Sequence, residues 1–461
     1  MANRLNRFSL TTPHSQPFFG RWVYGLALLL WALVATTGLA EAGMVIDISK
    51  GGQEPLPIAL PHFINLNAQG NVKKISNSSD DMGRRVASVV MADLERSGLF
   101  KPLDEKAYLQ KPDDLWKQGP HYRNWRLIGA EALVSGAVRE KGGQLFVDFY
   151  LYDVYGGALV GKGKRFTAPL RDWRHVAHRV ADEIYTRLTG ESGYFTSRIS
   201  FVAEKGDLKW LALMDQDGEN RVDLTKGQSL VLTPRFSPNG EHLFFVSYEK
   251  GPPRIYRWDL YTGKRVLQGD YPGLNSAPSW SPDGNRMALT LTKDGNAEIY
   301  IKDLRTGDLT RLTHNNGIDT SPSWSPDGRK LVFNSNRSGS PQLYVMDANG
   351  QNVKRITFDG PYNAAPAWSP RGDYIAYVRG GSRRFRIAVT DPEGQKNHIL
   401  TDSWMDESPS WAPNGRVILF SRQVGSQTQL YTIDLTGHNE RLLKLEKKIS
   451  GSDPSWSPLI Q

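Results

Sequence analysis

Cysteine is absent from the 461 residues, which excludes disulfide bonds and thiolate chemistry together. Long apolar runs are almost as scarce: beyond residue 34 no stretch approaches the ~20 residues that a membrane-spanning helix needs. The common catalytic signatures are missing too, with no Gly-x-Ser-x-Gly elbow, P-loop, His-Glu-x-x-His pair or dinucleotide fingerprint. Nine histidines are scattered along the chain, and His175 and His178 share one amphipathic stretch without a third ligand nearby in sequence. They read as surface or packing residues rather than metal ligands. One-sided charge is weak as well. The net +9 falls to +6 once residues 1–40 are set aside, because Arg4, Arg7 and Arg21 leave with no acid; the remainder is unclustered, which speaks against a nucleic-acid partner.

What is present begins with a targeting pattern. Three arginines precede an apolar run from Trp22 to Val34 and then the small residues Ala35 to Ala42, the layout of a secretory signal peptide. Residues 1–40 are therefore expected to be removed, with cleavage after Ala40 or Ala42. Residues 41–190 read as a small α/β domain. Ser79 is expected to open a helix carrying Met82, Val86, Val89, Val90 and Leu94 on one face, with Gly98 as its stop. A second helix follows from Trp173, Val176, Ala177, Val180, Ala181, Ile184, Tyr185 and Leu188, ending at Gly190. A hairpin is expected from Ala132–Arg139, Gly142-Gly143 and Leu145–Asp153. Residues 191–197 read as a linker, and from Arg198 to the end the alternation is that of β-strands.

The abundant residues, Gly 44, Pro 27 and Trp 13, concentrate in a repeat. Pro-x-Trp/Phe-Ser/Ala-Pro starts at Pro234, Pro278, Pro322, Pro366, Pro409 and Pro454, intervals of 44, 44, 44, 43 and 45 residues. A period of ~40–45 residues with two turn signals per unit is that of a four-stranded propeller blade. Ser281-Pro282-Asp283-Gly284 suits a type I turn between strands A and B. A second phrase, such as Ile299-Tyr-Ile-Lys-Asp303 before Gly307, is strand C and its hairpin turn to strand D. Tryptophans 280, 324, 368, 411 and 456 wedge neighbouring sheets apart, with Phe236 in the first copy. The β region starts with a strand B at Ile199, and the last phrase, Pro454 to Pro458, stands alone. An orphan A and a blade lacking its A complete one another, so the expectation is an all-β propeller of six blades over residues 198–461, its ring closed by pairing the C-terminal strand with the first blade.

Antiparallel order puts the D-to-A and B-to-C loops on one face and the short A-to-B and C-to-D turns on the other. Because the α/β domain enters at the start of a B strand, it is expected on the side of the short turns, leaving the long-loop face free. That face carries an inner ring of acids, Asp319, Asp406, Glu407 and Asp453, and an outer ring of bases including Lys209, Arg254, Arg337, Arg384 and Arg422. Solvated loops and a recognition face both account for this layout. No cofactor is expected, although a divalent cation among the acids stays open. Asp406 and Asp453 would suit acid–base chemistry on a glycan or peptide if they faced one another across the channel.

Taken together, the signal peptide, the α/β domain with Val45-Ile-Asp-Ile-Ser-Lys50 at its start, and six Pro-x-Trp-Ser-Pro-Asp-Gly blades resemble the TolB family, periplasmic propellers of the Tol–Pal envelope system. The resemblance spans the whole chain after the signal peptide. It implies a monomeric, non-enzymatic adaptor that supports outer-membrane integrity and invagination during cell division. It further implies that the lipoprotein Pal binds at the channel mouth, at Leu274, Ala277 and Thr320, with Asp319, Ala364, Asp406, Glu407 and Asp453 beside them. Other envelope lipoproteins are further candidate partners, and association with the outer membrane would be peripheral, through Pal. The inner-membrane protein TolA would be met by Glu41, Met44, Val45, Ile46, Asp47 and Ile48.

Overall fold

The computed structural model describes residues 54–73 and 81–459; the expected signal peptide, the expected TolA segment at 41–48 and Ser79 lie outside them. Among the described residues, no helix is long and apolar enough to cross a membrane.

The α/β region is a seven-stranded sheet. Strand β1 (Leu56–Ala59) continues in line with β2 (Ile64–Leu66), and both run parallel to β4 (Ala132–Lys141), while β3 (Phe100–Pro102) flanks β1. The hairpin partner β5 (Gln144–Asp153) pairs with β4 over ten residues and then with β6 (Ala158–Leu159) and β7 (Lys164–Pro169). Helix α1 (Met82–Arg96) is capped by Asp81, whose carboxylate accepts from Arg84 N–H at 2.8 Å. Its buried face is Met82, Val86, Val89, Val90 and Leu94, the apolar stripe read from the sequence. Two short helices, α2 (Pro112–Gln118) and α3 (Tyr122–Leu127), precede β4. Helix α4 (Trp173–Thr189) ends where Gly190 turns left-handed at φ +73°, its N–H closing on Thr186 O. A side chain there would be strained, which is why glycine stops the helix.

Six four-stranded sheets follow. In the first, β8 (Arg198–Lys205), β9 (Leu208–Asp215) and β10 (Val222–Asp223) take their innermost strand from the end of the chain: Ser450–Trp456 lies antiparallel to β8, Trp456 opposite Ile199. The ring is thus closed by hydrogen bonds rather than by a loop, and it leaves no free inner edge at the seam. Each apolar cluster straddles two blades. Ala288, Ile299 and Ile301 of one pack with Trp324, Leu331 and Phe333 of the next, and the same alternation recurs around the ring. No blade therefore completes a core alone.

The turn residues act as the repeat predicts. Asp303 accepts from the N–H groups of Arg305 and Thr306, both at 2.8 Å, and these backbone bonds hold its carboxyl below the ordinary range. In the Ser-Pro-Asp-Gly turn, Ser325 donates to Asp327 at 2.6 Å and brings that carboxyl down to about 2. A threonine after strand D that the repeat reading passed over is part of the same scheme. Thr225, Thr313, Thr357 and Thr401 each accept from an amide of their strand C, that of Leu211, Ile299, Leu343 or Ile387, at 2.9 Å.

Candidate functional site

The α/β region meets the propeller through short turns. Arg441 donates to Glu95 O at 2.8 Å and Asn439 to Arg96 O at 3.3 Å, while Glu191 pairs with Arg371 and Arg416. Residues 193–197 between the two are buried, with Tyr194 edge-on to Trp456 at 5.7 Å. The long-loop face lies on the other side of the ring.

On that side the channel is built from strand A of each blade. Every strand A carries a bulge just before its proline, where the register against strand B slips. The residue at the slip, Thr233, Ala277, Ser321, Ala365, Ser408 or Asp453, is left-handed in all six copies, with φ between +48° and +56°. A residue before proline normally stays extended, and the left-handed state costs an L-residue roughly 1–2 kcal/mol. The bulge turns these residues towards the axis, where they line one end of a cavity of about 570 Å³ that runs along strand A to the turn prolines, such as Pro282 and Pro326, on the short-turn side. The x of Pro-x-Trp is also not free. Ser323 and Ser410 accept from the N–H groups of Trp368 and Trp456 in the next blade at 3.0 and 2.9 Å. The indoles add a second bond in the same direction, Trp411 donating to Ala367 O of the preceding blade at 2.8 Å.

The charge layout resolves differently from its sequence reading. Asp319 and Asp406, expected as contacts at the mouth, are fully buried. Asp319 accepts from Arg337 and Asn315, both at 2.7 Å. Asp406 takes Arg422 through two nitrogens at 2.6 and 3.0 Å, and Arg422 continues to Glu440. Two of the inner acids and two of the outer bases are therefore partners: Asp406 is the register partner of Arg422, and Arg337 reaches Asp319 from just beyond the end of its strand B. Other bases of the outer ring are taken in the same way, Arg254 by Asp270 at 2.7 Å and Arg384 by Asp402 at 2.9 Å. The acid–base pair imagined for Asp406 and Asp453 loses its first member to this ion pair.

Of the remaining expected contacts, Ala277 and Asp453 line the channel, and Leu274, Thr320 and Glu407 are partly or fully exposed at its mouth. Ala364 is buried opposite Val378 in the ladder, and Ala365 takes the lining position one residue on. Partial burial and the charge of Asp453 push the Glu407 carboxyl above its ordinary value. Arg235, a residue the sequence reading passed over, lines the same channel; burial lowers its guanidinium against the attraction of Asp453.

Sequence reading also missed a set of exposed apolar side chains in the D-to-A loops. Phe358 is 67% exposed, Trp404 63% and Ile318 50%, with Met405 beside Trp404. Arg355 lies 4.9 Å over the Phe358 ring and Arg384 5.6 Å over Trp404. The signal available was large apolar residues where turn residues are expected. Exposed aromatics with arginine beside them, around a rigid cavity, are suited to gripping another protein.

Among the described residues, one group of three potential metal ligands comes together, Asp93, His178 and Asp217, on the short-turn side. Both carboxylates are already matched by guanidinium groups, Asp93 by Arg96 at 2.7 Å and Asp217 by Arg174. The group is an ion-pair network, and His178, read from sequence as a surface or packing residue, is at its centre and 2% exposed.

Two family profiles match the chain: the TolB amino-terminal domain over residues 44–160 and the TolB beta propeller domain over residues 185–460. The Tol-Pal system protein TolB of Paramagnetospirillum magneticum is 58% identical over 439 residues, covering 93% of this chain and 95% of that one. The protein of the same description from Pelagibacter ubique is 55% identical over 433 residues, 91% and 96% of the two chains. Among solved structures, TolB from Acinetobacter baumannii superposes with a TM-score of 0.78 at 31% identity, covering 88% of this chain and 97% of that chain.

Proposed function

The chain belongs to the TolB family, and from that premise we propose that it is a periplasmic, non-enzymatic adaptor of the Tol–Pal system. It links the inner-membrane Tol complex to the outer-membrane lipoprotein Pal, and so supports outer-membrane integrity and invagination during division. The observation that carries this reading is the long-loop face, a rigid channel mouth rimmed by exposed Phe358 and Trp404, whose acids at Asp319 and Asp406 are consumed by internal ion pairs. Such a surface is equipped to hold a partner and poorly equipped for acid–base turnover. Glu407 and Asp453 remain as the carboxylates a channel cation would meet under this reading.

TolA is assigned to the segment 41–52, because chain termini order at low cost only when something ties them down. A pull-down from periplasmic extract tests both assignments. Ala277→Arg and Thr320→Arg are expected to abolish Pal capture without lowering Tm, and Trp404→Ala to weaken it by about thirtyfold, the ~2 kcal/mol of an interface hot spot. Deleting 41–52 is expected to remove TolA and spare Pal. Undiminished Pal capture by all three point variants would move the site elsewhere on the ring.

A further inference from the structure

We propose that His178, held between Asp93 of the α/β region and Asp217 of the first blade, is a proton-operated latch between the two regions. His178 Nδ1 stands 2.6 Å from Asp93 Oδ2, and Nε2 is 3.8 Å from Asp217 Oδ2. Nε2 is buried and has no hydrogen-bond partner. In the neutral imidazole the Nδ1 proton goes to Asp93, so Nε2 presents a lone pair towards a carboxylate. In the imidazolium Nε2 presents a proton to that same carboxylate, and a shift of about 1 Å completes a charge-assisted hydrogen bond.

The surrounding charges were placed by three elements. Helix α1 supplies Asp93 and Arg96, and Asp93 Oδ1 also accepts from Gln216 of the first blade at 2.8 Å. Helix α4 supplies Arg174, which pairs with Asp217, the neighbouring His175, and Asp182, which is occupied by the N–H groups of Phe195 and Thr196. The first blade supplies Asp215 and Asp217, with Arg198 3.8 Å from Asp215. Burial alone would drive the proton off His178, but Asp93, Asp217 and Asp215 outweigh it and raise the group above its ordinary 6.5. His175 is shifted the other way by burial and Arg179, so it does not supply the charge.

The sign follows. A histidine raised in the folded state contributes stability that is fully present below about 6.5 and is lost as pH rises through its higher folded value. Of the other interface groups, Asp182 is raised to about 6 and Asp215 is raised above its ordinary value, both by burial, and Asp182 ionises below the His178 midpoint; Glu191, paired with Arg371 and Arg416, is held below the ordinary carboxylate range, and Tyr194 packs on Trp456. Deprotonation therefore loosens the Asp93–Gln216–Asp217 edge and leaves the Glu191 edge and the buried connection beside it closed.

The full-length protein tests this directly. Labelled-histidine NMR is expected to show His178 titrating above 6.5. Amide exchange in 93–98 and 214–220, corrected for intrinsic rates, is expected to rise as pH passes that midpoint, by about tenfold for each pH unit that separates it from 6.5. Asp217→Asn should lower the midpoint and flatten the exchange profile, and His178→Gln should sit at the loosened level with no rise through the wild-type midpoint, both with exchange around Glu191 unchanged. A His178 that stays neutral from pH 5 to 9, or an Asp217→Asn profile that matches wild type, would overturn the latch.

Discussion

Thr233 shows how the channel wall is made at the scale of one residue. It is β-branched, left-handed at φ +48°, and its buried hydroxyl has no partner. The backbone state costs roughly 1–2 kcal/mol and an orphaned buried hydroxyl about 1–3, whereas glycine forfeits only about 0.5–1 in chain entropy. Thr233→Gly is therefore expected to stabilise the protein by about 1 kcal/mol, a rise in Tm of roughly 1–2 °C by calorimetry. An unchanged or lower Tm would mean that the bulge is held without strain. The same scale explains the acids. Asp319 and Asp406 look like mouth residues in a sequence, and each becomes structural once a guanidinium sixteen to eighteen positions away arrives beside it.

At the scale of the element, the last strand decides the ring. Trp456 donates its indole N–H to Ser197 Oγ at 2.7 Å and its backbone N–H to Ser410 Oγ at 2.9 Å, and stacks edge-on to Tyr194. One residue, through its indole and its backbone N–H, thus ties the first blade, the sixth blade and the connection to the α/β region. Trp456→Ala is expected to cost about 3–5 kcal/mol, more than the same change at Trp280, which is only partly buried and touches blades alone. Urea denaturation of the two variants side by side makes the comparison; equal losses would show that the seam is no more demanding than any other blade junction. The blade phrase itself was legible because a proline, a tryptophan and a Gly-terminated turn act within a few residues of one another. The bulge inside it was not, because φ at the pre-proline position is set by how six strands crowd one axis.

Across the whole molecule, the connection at 191–197 determines whether the two regions behave as one. Sequence composition reads it as a linker. In the fold Phe195 and Ser197 are buried, and Asp182 accepts from Phe195 N–H at 2.7 Å and from Thr196 through its N–H and hydroxyl at 3.0 and 2.8 Å. Asp182→Ala removes all three bonds, of the ~1.5–3 kcal/mol class that hydrogen bonds to charged groups reach. The expected outcome is a single thermal transition splitting into two, with new proteolytic cleavage between residues 190 and 198. A variant that melts in one step and resists protease would place the coupling in the Glu191 and Asp93 contacts instead.

What the sequence by itself determined is whatever acts locally or repeats. The helix stops at Gly98 and Gly190, the hairpin at Gly142-Gly143, the six blades and the orphan strand that closes them all rest on periodicity and turn chemistry within a few residues. Only the tertiary structure decided which charges are free. Arg422 reaches Asp406 across a ladder, Arg337 reaches Asp319 from the loop beyond its strand, Arg174 neutralises Asp217 across a domain junction, and His178 is drawn out of a helix pattern into that network. An ionic side chain acts over several ångströms in every direction at low dielectric, so its partner is chosen by packing and not by its neighbours in the chain.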